Sequence, residues 1–207
     1  MTLIKNCGLK TVMDMETAAT TGASFIGFVH HAASVRHLEI PEMAALHIQK
    51  PATVKSAVVM VSPTDSLLDE ITSIIRPDYL QIHKVDAGRA AMISERTRLP
   101  LIIGIAMREP ADLELAHTLE PLAAHLLLDA PESGSGKAFD WGMLAGVHFA
   151  KPWFLAGGLT AQNVQEAMRI THAPMVDVSS GIEDAPGHKS LEKIAAFNRA
   201  VLHPTHG

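Results

Sequence analysis

The chain has 207 residues and a formal net charge of −5 at pH 7. This length exceeds the ~150 residues of an average domain only modestly, and no glycine-, serine- or charge-rich tract interrupts it, so we expect one compact domain over residues 1–207. The mild acidity, without a basic block, argues against binding to nucleic acid or to an anionic membrane. Small molecules are the expected partners.

Eight short apolar runs recur along the chain, and their lack of in-and-out alternation is typical of strands buried on both faces of a parallel sheet. In chain order they are Leu3–Asn6, Phe25–Val29, Ala57–Val61, Tyr79–Ile82, Leu101–Ala106, Leu126–Leu128, Trp153–Ala156 and Met175–Val178. Only 4% of the residues are aromatic, which favours packed helices and strands over an all-β sandwich.

Amphipathic stretches with helix-start signals separate these runs. Ser62-Pro63-Thr64-Asp65 offers a capping hydroxyl, a first-turn proline and an acid before a helix over Leu67–Ile75. The other predicted helices follow a capping box at Thr11–Asp14, run from Pro41 to Pro51, begin at Pro110, Thr160 and Ser190, and span Trp141–His148 as the weakest pattern.

The alternation of eight strand-helix units at about 26 residues each predicts an α/β fold, an eight-fold parallel (β/α)8 TIM barrel. An open doubly wound sheet is the alternative. We favour the barrel because eight even units leave no room for the reversal of strand order that an open sheet requires.

The N-terminal segment has no apolar run of signal type, and no apolar stretch approaches the roughly 20 residues that span a bilayer, so a cytoplasmic protein is expected. Cys7 is the single cysteine of the chain, which excludes an internal disulfide and multi-cysteine zinc sites. His30, His31 and His83 suggest a metal site, but the chain lacks the accompanying carboxylate pattern, so we expect neither metal nor cofactor.

Polar residues and glycines follow the apolar runs directly, where a barrel builds its active site at the carboxyl ends of the strands. They are Cys7-Gly8, His30-His31, Ser62, Gln81 with His83, Asp129, Gly157-Gly158 and Ser179-Ser180-Gly181. The turns at Gly157-Gly158 and Ser180-Gly181 follow the last two strands, where barrels commonly bind phosphate through backbone amides; two tight turns without a ligand are the alternative. Gln81, His83 and Asp177 either contact sugar hydroxyls or simply line the mouth.

Several motifs occur in order along the chain. They are residues 4–8 (IKNCG), 22–29 (GASFIGFV), 34–36 (SVR), 80–83 (LQIH), 127–129 (LLD), 134–141 (GSGKAFDW), 155–159 (LAGGL), 163–164 (NV), 176–183 (VDVSSGIE) and 186–189 (PGHK). Through them the chain resembles the phosphoribosylanthranilate isomerase family of tryptophan biosynthesis over nearly its whole length. The resemblance implies an Amadori rearrangement of N-(5-phosphoribosyl)anthranilate to 1-(2-carboxyphenylamino)-1-deoxyribulose 5-phosphate by acid/base catalysis.

The resemblance also implies residue roles. Cys7 matches the base of the family, Asp129 its acid, and Arg36 the residue that contacts the anthranilate carboxylate. Taken alone, the three side chains have ordinary alternatives: a small buried cysteine, a helix-capping aspartate and a solvated surface arginine. The stretch Ser133–Gly136 resembles a flap, with Lys137 available for an anion.

The chain departs from the family pattern at His30-His31 and Lys84, which affects substrate fit more than chemistry, and at Ser133 and Ser190, which concern the detail of the flap and of the final turn. Rival interpretations are a metal-dependent pentose phosphate epimerase, the Amadori isomerase of histidine biosynthesis, which would need a carboxylate in place of Cys7, and a phosphosugar-binding barrel without catalysis. We expect a monomer or a homodimer.

Overall fold

The computed structural model describes residues 2–131 and 139–203. Eight parallel strands close into a barrel in chain order, because the last strand pairs with the first, Asp177 lying beside Lys5. This confirms the predicted barrel over an open sheet. The strands are β1 (Leu3–Cys7), β2 (Phe25–Val29), β3 (Lys55–Val61), β4 (Tyr79–His83), β5 (Leu101–Ala106), β6 (His125–Asp129), β7 (Trp153–Leu155) and β8 (Met175–Val178).

Seven α-helices cover the outside of the barrel within the described ranges. They are α1 (Val12–Thr20), α2 (Ile40–Ile48), α3 (Asp65–Ile74), α4 (Ala87–Thr97), α5 (Ala111–Leu119), α6 (Val164–Thr171) and α7 (Leu191–Leu202). Short 3-10 turns occur at Glu120–Leu122, Trp141–Leu144 and Ser180–Ile182, and a small hairpin of β9 (Glu183–Ala185) and β10 (His188–Lys189) lies between β8 and α7. None of these helices combines the length and the apolar character that crossing a membrane requires.

Two predicted helix starts are confirmed. Thr11 and Asp14 form a reciprocal capping box before α1, and the side chain of Ser190 caps α7 by accepting a hydrogen bond from Lys193 N. Both follow from local chemistry, since a short hydroxyl side chain satisfies an amide that the first helical turn leaves unpaired.

Two other helix starts differ from the prediction. Thr64, not Ser62, caps α3, because Ser62 has a left-handed φ of 43° and donates its hydroxyl to Lys84 O across the rim of the barrel. Helix α6 begins at Val164 rather than near Thr160. There Asn163 accepts from Thr160 N and donates to Gly158 O, which holds the chain in a turn for three more residues.

The strict strand-helix alternation is wrong at the sixth unit. Residues 139–152 contain only the 3-10 turn at Trp141–Leu144 in place of the predicted helix over Trp141–His148. Asp140 begins this turn by accepting from Gly142 N, and Gly146 follows it with a φ of 75°. Two glycines so close together make a continued helix unfavourable by about 1 kcal/mol each.

The strands separate two apolar cores. A larger one lies between the barrel and its helices. A smaller one fills the lower barrel interior with Phe25, Ala57, Ile102, Leu127, Phe154, Ala156 and Met175, and the ring of Tyr79 packs against it. Because side chains alternate along a strand, the inward-facing positions two residues further on carry polar groups at the open end of the barrel.

Candidate active site

The upper barrel interior brings together five of the predicted site residues. Gln81 and His83 follow Tyr79 on β4, Asp129 follows Leu127 on β6, Asp177 follows Met175 on β8, and on β1 Cys7 follows Lys5, whose side chain pairs with Asp177. Each stands at an even spacing from an inward-facing residue of its own strand, so all five face the same cavity. Strands β1 and β6 are separated by β7 and β8 on one side and by four strands on the other, which sets Cys7 and Asp129 apart around the mouth.

Cys7 lies beside a buried ion pair. Lys5 is completely buried, its Nζ donates to Asp177 Oδ1 at 2.8 Å, and Cys7 is only 5% exposed. Gly27 on the neighbouring strand leaves space for both groups, since a Cβ there would lie 2.7 Å from Cys7 Sγ and 3.2 Å from Lys5 Nζ. A cation therefore sits next to the thiol inside a site with little water.

Burial raises the pKa of the Cys7 thiol, the Lys5 ammonium opposes this rise, and the Asp177 carboxylate adds to it. Burial alone would lower the pKa of Lys5, but Asp177 and Cys7 more than compensate and the pKa is raised, so Lys5 stays charged. Lys5 was not among the residues predicted for the site. Lys5 could have been predicted from its position two residues before Cys7, because side chains two residues apart on a strand point to the same face.

Gln81 and His83 form a second polar pair deep in the barrel. Their Nε2 atoms are 2.9 Å apart, and Gln81 Oε1 has no partner among the described residues although Gln81 is 2% exposed. Burial, together with Lys5 and Lys84, lowers the pKa of His83 to about 4, so its ring is neutral near pH 7. Gly104 makes room for this ring, since a Cβ there would lie 2.2 Å from it.

Asp129 ends β6 and is partly exposed at the mouth. Its Oδ1 accepts a hydrogen bond from Ala130 N at 2.8 Å, which fixes the carboxyl group against the start of the following loop. Gly157 packs against that same loop, because a Cβ on it would lie 2.5 Å from Ala130 N. The carboxyl is thus held at the rim of the barrel.

Arg36 is not a solvated surface side chain. It is 12% exposed, and its Nε and Nη2 donate to the two carboxylate oxygens of Glu183 at 2.7 and 2.8 Å. The side chain crosses Gly8, where a Cβ would lie 2.8 Å from Arg36 Cδ. Arg36 therefore lies directly above the end of β1, next to Cys7.

The two predicted phosphate turns lie side by side. Gly157 and Gly158 have left-handed φ values of 84° and 65°, and a Cβ on Gly181 would lie 1.9 Å from Leu159 O. Only glycine permits this conformation and this approach without strain. The Gly157 and Gly158 amides donate to no protein acceptor within residues 2–131 and 139–203, so both are available to an anion.

The predicted flap at Ser133–Gly136, with Lys137, lies outside the described residues. Within the part of the chain that is described, no three His, Cys, Asp or Glu side chains are grouped as a metal site would require.

Comparison with known proteins identifies the family of this barrel. The family model described as N-(5'-phosphoribosyl)anthranilate (PRA) isomerase matches residues 4–200. The chain belongs to this family. It is 39% identical to the N-(5'-phosphoribosyl)anthranilate isomerase of Paracoccus denitrificans over 97% of both chains.

Two solved structures are also similar. TrpF from Jonesia denitrificans superimposes with a TM-score of 0.84 at 32% identity, over 98% of this chain and 97% of the other. A phosphoribosyl anthranilate isomerase in complex with reduced 1-(o-carboxyphenylamino)-1-deoxyribulose 5-phosphate superimposes with a TM-score of 0.86 at 25% identity, over 98% and 99% of the chains. The similarity covers the barrel from end to end.

Proposed function

We propose that this chain catalyses the Amadori rearrangement of N-(5'-phosphoribosyl)anthranilate to 1-(o-carboxyphenylamino)-1-deoxyribulose 5-phosphate in tryptophan biosynthesis, in the cytoplasm, as a monomer or homodimer and without a cofactor. The observation that carries the proposal is a thiol flanked by a buried ammonium, Cys7 beside Lys5, across one barrel mouth from the carboxyl group of Asp129. Family membership supports the identity of the substrate.

Asp129 acts first, as the general acid. Its carboxyl group gives a proton to the furanose ring oxygen, the bond between that oxygen and C1 breaks, and the anthranilate nitrogen supplies its electron pair to form a C1 iminium ion. Proton transfer of this kind contributes about 10²- to 10⁴-fold in rate. The position of Asp129 at the rim supports this role, because the ring of a substrate lying over the mouth comes within its reach.

Cys7 then acts as the general base. Its thiolate removes the proton from C2, and the C2–H electron pair forms the C1–C2 double bond of an enolamine while the iminium nitrogen becomes neutral. The enolamine gains a proton on C1 and loses the hydroxyl proton at C2, which yields the ketone. Lys5 stabilises the thiolate through its charge, since a cation beside a thiol favours the ionised form.

The remaining residues hold the two ends of the substrate. Arg36 binds the anthranilate carboxylate, and the amides at Gly157, Gly158 and Gly181 bind the phosphate together with the hydroxyl of Ser180. The unpartnered Gln81 Oε1 accepts from a sugar hydroxyl, with His83 and Asp177 beside it. A buried acceptor without a partner is costly, and a bound hydroxyl would remove that cost.

The proposed function is tested with freshly prepared N-(5'-phosphoribosyl)anthranilate, whose fluorescence is followed after addition of the purified chain. We expect the fluorescence to fall faster than in a protein-free control and the ketose product to accumulate. Fluorescence loss at the protein-free rate, with a folded chain, would contradict the proposal.

The pH dependence should reveal the charges around Cys7. In the wild-type chain the rate constant for alkylation of Cys7 by iodoacetamide should rise by up to about tenfold per pH unit towards the pKa of the thiol, because only the thiolate is the nucleophile and this reaction does not require protonated Asp129. Lys5→Met, combined with Asp177→Asn to avoid an unpaired buried anion, should move this rise to higher pH, whereas Asp177→Asn alone should move it to lower pH. Identical pH profiles for all three proteins would show that Lys5 and Asp177 do not act on Cys7.

Arg36→Met should weaken binding of the substrate carboxylate and leave binding of the phosphate unchanged. The variant keeps an apolar stem but loses a charged hydrogen-bonding group, so binding of carboxylate-bearing substrates should weaken by roughly 1.5 to 3 kcal/mol. Inhibition by inorganic phosphate should not change, because the phosphate turns follow β7 and β8. Measurement of KM for the substrate and Ki for phosphate in this variant checks both assignments; an equal loss in both would place Arg36 in the phosphate site.

A further inference from the structure

Two charged side chains without a predicted role, Glu183 and Lys189, lie under Arg36. Glu183 is 5% exposed at its side chain, and it receives Arg36 on both oxygens and Lys189 Nζ on Oε1 at 2.7 Å. The Lys189 side chain is completely buried and also donates to Ser179 O at 2.9 Å. Ser179 in turn donates its hydroxyl to Cys7 O at 3.2 Å. A continuous chain of polar contacts therefore runs from Arg36 to the end of β1.

The hairpin of β9 and β10 holds this cluster against the loop after β2. Gly187, in its turn, approaches Val35 so closely that a Cβ would lie 2.6 Å from Val35 O. The same carbonyl accepts a hydrogen bond from Lys10 Nζ at 2.8 Å, and the backbone N–H of Arg36 donates to Ser34 Oγ at 3.1 Å. The backbone and the side chain of Arg36 are thus fixed by different elements.

Burial alone would raise the pKa of the Glu183 carboxyl, but hydrogen bonds and charge from Arg36 and Lys189 reverse the effect and the pKa is lowered. Glu183 is therefore a carboxylate near neutral pH. Burial lowers the pKa of Lys189, and the Glu183 carboxylate opposes this shift. With Lys189 protonated, the three side chains carry two positive charges and one negative charge, a net charge of +1.

We propose that Glu183 and Lys189 are positioning residues that orient the guanidinium of Arg36 and match the charge of its site to a single substrate carboxylate. This inference rests on the proposed function of the same site. Glu183 occupies the Nε edge of the guanidinium, so the edge formed by Nη1 and the outer N–H of Nη2 is left for the anthranilate carboxylate. A planar guanidinium can bind one carboxylate on each of these two edges.

Glu183→Gln separates orientation from charge, because the two effects have opposite signs. The variant raises the net charge of the cluster from +1 to +2, which would by itself strengthen anion binding. If orientation dominates, affinity falls instead, and we expect the Kd of reduced 1-(o-carboxyphenylamino)-1-deoxyribulose 5-phosphate to rise about tenfold or more, the scale of a lost hydrogen bond to a charged group. Isothermal titration calorimetry measures this Kd directly.

Three control measurements distinguish a loss of Arg36 orientation from a general distortion of the site. The counterpart of this ligand that lacks the carboxylate should bind the wild-type chain and Glu183→Gln equally, whereas general distortion of the site would weaken both ligands. In an Arg36→Met background, Glu183→Gln should no longer raise the Kd, because no guanidinium is left to orient and the added positive charge by itself favours the anion. Lys193→Met is the matched control, because Lys193 Nζ contacts Glu183 O and the exposed Asp184 but not the Glu183 carboxylate.

Lys189→Met tests whether the positive net charge of the cluster contributes to binding of the substrate carboxylate. The variant leaves Arg36 paired with Glu183 and the cluster neutral, so the Kd for the carboxylate-bearing ligand should rise and that for its carboxylate-free counterpart should not. An unchanged Kd for the carboxylate-bearing ligand in Lys189→Met would refute the charge assignment.

An unchanged or lower Kd in Glu183→Gln would refute the orientation assignment. If Glu183→Gln fails to fold, Glu183→Asp keeps the charge and withdraws the carboxylate by one methylene, and an unchanged Kd there would equally refute it. Failure of the wild-type chain to bind the ligand would contradict the proposed function, and this inference with it.

Discussion

Replacing Cys7 with alanine is expected to lower kcat by about 10²- to 10⁴-fold, the contribution of a positioned proton-transfer group. Cys7 is the single cysteine of the chain and lies beside the buried ammonium of Lys5. Lys5 faces the same cavity but is held protonated by its ion pair with Asp177, so it cannot accept the C2 proton. Steady-state turnover of N-(5'-phosphoribosyl)anthranilate provides the measurement.

The loss must be separated from a packing defect. Val59 packs against Cys7 in the same small cluster of buried side chains, so Val59→Ala removes a similar volume without removing the thiol. We expect Val59→Ala to cost stability but little kcat, and Cys7→Ala to bind the reduced product with nearly wild-type affinity. Near-native kcat in a folded Cys7→Ala protein would remove Cys7 from the mechanism.

Asp129→Asn is expected to lower kcat at least about 10²-fold with a smaller change in KM, because the amide keeps the shape of the side chain but cannot deliver the proton. The hydrogen bond that Ala130 N donates to Asp129 Oδ1 can be retained by the amide oxygen, so the loop that follows β6 should keep its position. Thermal unfolding compared with the wild-type chain checks this. A change confined to KM would mean that Asp129 only binds the substrate.

The barrel could be predicted from sequence because its strands are continuous apolar runs. Phe25–Val29, Leu101–Ala106 and Met175–Val178 agree with the structure at both ends. Helix starts depended on the backbone conformation of the capping residue. Thr11 and Ser190 have the extended backbone of an N-cap, whereas Ser62 has a left-handed φ of 43° and its hydroxyl is bound across the rim to Lys84 O.

The residues proposed for catalysis could be predicted from their positions after the strands. The charged residues that surround them could be predicted only in part. Cys7 and Asp129 directly follow predicted strands, which marks them as mouth residues. Lys5 could have been found from strand periodicity. The roles of Glu183 and Lys189 could not, because they arise from an ion pair with Arg36, 147 residues away from Glu183 along the chain, and from the folding of a hairpin that the apolar pattern does not signal.

The order of the two proton transfers can be tested by trapping with borodeuteride, which adds deuterium at C1 of an open-chain imine but at C2 of the ketose product. Cys7→Ala retains the acid, so it should open the sugar ring and give C1-labelled product above the protein-free background. Asp129→Asn should give no such excess, because the ring stays closed. Equal C1 labelling in the two variants, or no excess in Cys7→Ala, would contradict the assignment of Asp129 as acid and Cys7 as base.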